Sequence, residues 1–119
     1  PKTTTTDVIV LKQDFANTLK LSNIFSDKFN QINVKVDPSS KKTQIKTKNN
    51  DVGENTTLLD SAITGEVVDI NFNYKYVVDC LQSIDSDSLN LSFSGLNKPV
   101  IITPVSDTSF RYIVMPMNR

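Results

Sequence analysis

The spacing of apolar and polar residues along the chain goes through the same sequence of changes twice. Val8-Ile-Val-Leu11 is an unbroken apolar run, as in a short buried strand. From Lys12 to Phe25 the apolar side chains at Phe15, Ala16 and Leu19 recur at the spacing of one helix face. Ile32 to Val36 alternates apolar with polar, Asp37-Pro-Ser-Ser-Lys-Lys42 is turn chemistry, and extended structure resumes from Gln44 to Lys48, which predicts a hairpin. A second turn at Asn49-Asn-Asp-Val-Gly-Glu54 leads to a less regular strand over Thr56 to Ile63, broken by Asp60 and ended by Gly65. The order then restarts. Val67 to Phe72 reads as a strand, and Asn73 to Ile84 as a helix with Val77, Cys80, Leu81 and Ile84 on one face and Asn73 as its cap. Leu89 to Phe93, Val100 to Thr103 and Phe110 to Val114 are three further strands.

Laid over one another, Val8 to Phe15 falls on Asp69 to Tyr76, setting Phe15 over Tyr76, Ala16 over Val77 and Leu19 over Cys80. The chain is predicted to be a duplicated unit of one strand, one helix and three strands. Strands joined without crossover helices pair antiparallel, so the expected class is α+β, with two adjacent helices packed on antiparallel sheets whose edges must be covered or paired.

Composition narrows the chemistry. The 119 residues suit one domain, and a domain of this size closes a core without disulfide or metal. The start at Pro1 rather than Met points to a piece of a longer protein or a processed one. A single cysteine, Cys80, fits a reducing compartment, and no apolar run approaches the roughly 18 residues of a membrane span, so a cytoplasmic location is expected. Thirteen basic residues balance thirteen acidic ones, which argues against tight electrostatic binding to nucleic acid. The absence of His excludes Ser-His-Asp hydrolases, His-ligated zinc hydrolases and His relays. Asp85, Asp87 and Glu66 would be the acid and base of a carboxylate hydrolase, against their plainer reading as polar turn residues. Cys80, on an apolar helix face, reads as an inert core thiol.

Three stretches carry a resemblance. The ending Tyr112-Ile-Val-Met-Pro-Met117 is very close to the C-terminal tyrosine, two aliphatics and Met-Pro-Met of the bacterial DNA polymerase III beta subunit, the beta sliding clamp. Gly65-Glu-Val-Val-Asp-Ile-Asn-Phe-Asn-Tyr-Lys-Tyr-Val-Val-Asp-Cys-Leu81 is similar to the same family's strand, Phe-Asn, Tyr and helix segment. Leu21-Ser-Asn with Lys28-Phe29 and the strand Ile32 to Val36 resembles the end of that domain's first helix. The resemblance implies the DNA-clamp fold and a place as the third domain of a three-domain subunit. Two such subunits would pair head to tail around duplex DNA, as a processivity factor with no activity and no cofactor of its own. Polymerase, clamp loader and repair proteins would dock through short linear peptides in a groove between the second and third domains, partly built from the C-terminal tail. The different-class alternative is a free-standing β-rich adhesion or interaction module of a secreted protein, suggested by the Ser, Thr and Asn content.

The resemblance also assigns residues. The partner-peptide groove would take Ile113, Val114, Met115, Pro116, Met117, Asn118 and Arg119, although Asn118-Arg119 departs from the family's arginine and apolar last residue. Read from the residues alone, the two methionines are adaptable apolar side chains around a Pro without an N–H, suited to anchoring a peptide or to filling a core edge. Lys20 and Lys75 would face DNA non-specifically and weakly, or else be ordinary solvated helix positions beside Asp14 and Asp79. Ring closure would use Leu21 with the strand edge at Glu54, Thr56, Leu58 and Leu59, the alternative being that these leucines are core.

Overall fold

The structure is a computed structural model that describes residues 6–25, 31–49, 53–95, 98–107 and 109–117. Within them the first half forms β1 (Thr6–Leu11), α1 (Lys12–Phe25), β2 (Gln31–Asp37), β3 (Lys42–Asn49), β4 (Gly53–Asp60) and β5 (Ala62–Gly65). The second forms β6 (Val68–Asn73), α2 (Tyr74–Gln82), β7 (Ser88–Phe93), β8 (Val100–Pro104) and β9 (Tyr112–Val114). All the strand pairs are antiparallel, in a five-stranded sheet β5-β1-β7-β8-β9 and a four-stranded sheet β4-β3-β2-β6. The fold is α+β, with the helices packed side by side.

The two halves interlock. The first strand of each is delivered to the sheet of the other, so β1 pairs with β7 and β6 pairs with β2. The internal alignment must therefore be read one residue further on than the apolar pattern suggests. β1 and β6 superpose with Val8 over Ile70 and Val10 over Phe72, and the helices with Phe15 over Val77 and Leu19 over Leu81, every one of them buried. A slip of one residue turns a strand over, and the overlay drawn from the apolar pattern sets buried Phe15 on Tyr76, which is exposed.

One core joins both sheets and both helices, with Val8, Val10, Leu89 and Leu91 from one sheet meeting Ile32, Val34, Ile70 and Phe72 from the other. The rings of Phe72 and Phe93 lie 6.4 Å apart and tilted by 48°, a contact between the two sheets. The strand expected over Thr56 to Ile63 is two. At Ser61 the chain leaves the edge of one sheet for the edge of the other. The Ser61 N–H donates to the Lys41 carbonyl (3.1 Å) and its hydroxyl to the Leu59 carbonyl (2.9 Å), which hold the bend. Smaller differences are Val67, which is exposed and precedes β6, and Phe110 and Arg111, which precede β9.

The helices are fixed relative to each other. Asn73 caps α2 by accepting the Lys75 N–H at 2.9 Å. The helix stops at Gln82, where Ser83 and Ile84 turn their N–H groups onto the Cys80 and Leu81 carbonyls. Lys12, the first residue of α1, donates its ammonium to the Ile84 carbonyl just beyond α2, placing a cation at the negative end of that helix.

Candidate functional site: a cleft between the second helix and the C-terminal tail

β9 is three residues long and forms the outer edge of its sheet, paired only with β8. Alternation along it sends Val114, 4 % exposed, into the core and leaves Ile113 63 % exposed, with Met115 at 61 % just beyond. Opposite stand Tyr76, Asp79, Cys80 and Ser83, at positions i, i+3, i+4 and i+7 counted from Tyr76 along and just past α2, and so on one side of it. The two walls enclose an open cleft of about 460 Å³ with buried Val114 and Cys80 at its base. Burial pushes the Cys80 thiol up to about 11, so it is a neutral, apolar part of that base.

The tail is held by its backbone. Pro116 has no N–H, and the next one, of Met117, donates to the Asn71 carbonyl on β6 at 2.7 Å. In the corrected overlay Asn71 lies over Ile9, whose partner on the other side of the duplication is Ala62 of β5. Through this one bond the tail meets the outer edge of β6, with Met115 lining the cleft just before it. Pro116 and Met117 are half-buried, and Asn118 and Arg119 lie outside the described residues, as do Lys28 and Phe29.

A second groove, about 630 Å³, runs between α1 and α2. Lys12, Lys20 and Lys75 line it over an apolar bed that includes Ala16, Leu19 and Val78, with Lys20 and Lys75 exposed as surface cations. Asp79 lines both grooves and among the described residues is the sole carboxylate in either; Glu66, Asp85 and Asp87 enter neither. Among the described residues no cluster of three or more His, Cys, Asp or Glu could hold a metal ion.

The residues expected at a ring interface divide. β4 is the edge of its sheet, and Glu54, Thr56 and Leu58 face outward, Leu58 at 59 % exposure, with Leu21 exposed on α1. Leu59 does not join them. It is 5 % exposed and belongs to the core, because neighbouring residues of a strand point to opposite faces. On the outward face Glu54 pairs with Lys46 at 3.8 Å and Asp60 with Lys42.

Sequence reasoning pointed to the tail and did not single out the wall that stands opposite it, Tyr76, Asp79, Cys80 and Ser83. The signal was present: at the correct overlay Tyr76 falls on exposed Asp14, which marks it as a surface aromatic.

Three comparisons bear on this geometry. The family model described as DNA polymerase III beta subunit, C-terminal domain, matches residues 1–118. The chain is 33% identical over 117 residues to the beta sliding clamp of Vibrio cholerae, covering 98% of this chain and 31% of that protein. Its structure resembles the beta subunit of DNA polymerase III from Thermotoga maritima, with a TM-score of 0.93 and 25% identity over 100% of this chain and 32% of that one. It also shares the fold of the sliding clamp from Bacillus subtilis, with a TM-score of 0.93 at 20% identity over 100% of this chain and 32% of that one. The chain spans about a third of the length of these relatives.

Proposed function

Because this chain belongs to the DNA polymerase III beta subunit family, as its C-terminal domain, we propose that it is the last of three domains in a sliding clamp subunit. In that role it helps a ring to encircle duplex DNA and tethers replication and repair proteins to it, and it catalyses nothing itself. Family membership disfavours the secreted adhesion module. The observation that carries the reading is the cleft beside the tail. Ile113 and Met115 present apolar surface at more than half exposure around a concave, apolar base, the form in which a protein receives the anchors of a short peptide. Polymerase, clamp loader and repair proteins dock there through linear segments.

The other two surfaces take supporting roles. Lys20 and Lys75 give the inter-helix groove a weak positive field, enough to follow phosphates without reading bases, and the balanced total charge keeps the attraction loose enough to slide. Leu21 and the outward residues Glu54, Thr56 and Leu58 form the edge that a second subunit extends head to tail.

The test is a titration of the chain with a labelled peptide carrying glutamine followed by spaced leucine and phenylalanine anchors, read by amide NMR. Shifts are expected at Tyr76, Cys80 and 112–117, and Met115→Ala should weaken binding by about tenfold, or about 1.4 kcal/mol. An absence of shifts at millimolar peptide, both for this chain and for a longer chain that includes the preceding domain, would overturn the reading.

A further inference from the structure

We propose that Asp79 gives the tail cleft a charge preference, selecting peptides that carry a lysine or arginine next to their apolar anchor. This rests on the peptide-docking function proposed above and specifies the chemistry of its partner. The cleft is apolar at its base and mouth, and among the described residues Asp79 is the one Asp, Glu, Lys or Arg in its lining. Its carboxylate makes no hydrogen bond or ion pair with any described residue, although Lys75 stands one turn earlier on the same helix face. Lys75 lines the inter-helix groove but not the tail cleft, whereas Asp79 lines both. Among the described residues nothing on the tail side offsets that negative charge.

An exposed carboxylate in open water attracts little. At the wall of an apolar cleft its field is less screened, because the protein beside it polarises less than the water it replaces. A bound peptide displaces more of that water. A cation adjacent to the buried anchor then gains a partner at the rim, and an anion in the same place is repelled, with no cation among the described lining residues to offset the cost. Tyr76 and Ser83 flank Asp79 along the same wall, so that side of the cleft is polar while Ile113 and Met115 opposite are apolar. The peptide is thereby oriented, with its apolar face towards the tail and its charged residue towards α2.

The experiment uses three peptides with identical glutamine, leucine and phenylalanine anchors and Lys, Ala or Glu next to the last anchor. Each is titrated by fluorescence anisotropy against the wild-type chain, Asp79→Asn and Asp79→Glu, at low and at high salt. In the wild type the Lys peptide should bind about three- to tenfold more tightly than the Glu peptide at low salt, with Ala between them and the gap closing as salt is added. Asp79→Asn should bring the three affinities within about twofold of one another, and Asp79→Glu should restore the order. Binding of all three peptides without a preference, or a preference that survives Asp79→Asn, overturns the inference and leaves peptide docking intact. If none of the peptides binds, either to this chain or to a longer chain that includes the preceding domain, docking at this cleft is overturned and the inference with it.

Discussion

Cys80 and Tyr76 sit one turn apart on α2 and have opposite fates. Cys80 turns into the base of the cleft, where burial holds its thiol protonated to about pH 11, against an ordinary value of 9.0. The unfolded chain gives up that proton near 9 and the folded chain does not, so between about 9 and 11 the folded state binds more protons and loses stability as pH rises. Unfolding by urea at pH 8 and pH 10 should show a larger drop for the wild type than for Cys80→Ala. Equal drops would mean that the thiol is not buried as described. The same burial makes the thiol slow towards alkylating reagents until the chain unfolds. Tyr76 turns out to solvent, and its exposure becomes intelligible only with the second wall of the cleft in place.

At the scale of elements, β4 shows how pattern and position divide the work. Its residues alternate, so of two adjacent leucines one faces the core and the other faces away, and which is which depends on register with β3. The pairing of Gln44 with Leu58 and of Thr43 with Leu59 sets it, since Thr43 is buried. Leu59→Ala should cost about 2–5 kcal/mol by leaving a cavity. Leu58→Ala should change stability by less than about 0.5 kcal/mol, as an exposed substitution does. Urea titration of the two variants checks this with identical chemistry at both sites. The reverse order would place Leu58 inside and remove it from the proposed edge. β9 obeys the same rule with Val114 inside and Ile113 outside, but there the outward residue borders a concave surface.

Over the whole molecule, the duplication puts both helices side by side and makes one groove of their shared face. Among the described residues the charges along it are few, Lys12, Lys20 and Lys75 against Asp79. With so small a field, binding of a labelled duplex should be measurable only at low ionic strength. Lys20→Glu and Lys75→Glu should each weaken it severalfold, and Asp79→Asn should strengthen it. By about 0.3 M salt, where the screening length falls to a few ångström, the differences should vanish. Anisotropy of the labelled duplex across a salt series gives the answer. An effect that persists at high salt would mean direct contacts rather than a diffuse field.

The order of elements, the two helices, the hairpin of β2 with β3 and the α+β class were legible in the sequence, because each rests on local spacing: period two in strands, three to four residues in helices, and turn chemistry at Asp37-Pro-Ser-Ser. The tail was legible too, through the resemblance of Tyr112 to Met117. What local spacing does not carry is which strand lies beside which. Only the tertiary structure decided that β1 and β6 change places between the halves, that the chain crosses sheets at Ser61, and that Leu59 belongs to the core. It also decided that Tyr76, Asp79, Cys80 and Ser83 stand opposite the tail. Each of these pairs segments far apart in the chain, and a one-residue change of register, barely visible in the apolar pattern, reverses the face that every side chain of a strand presents.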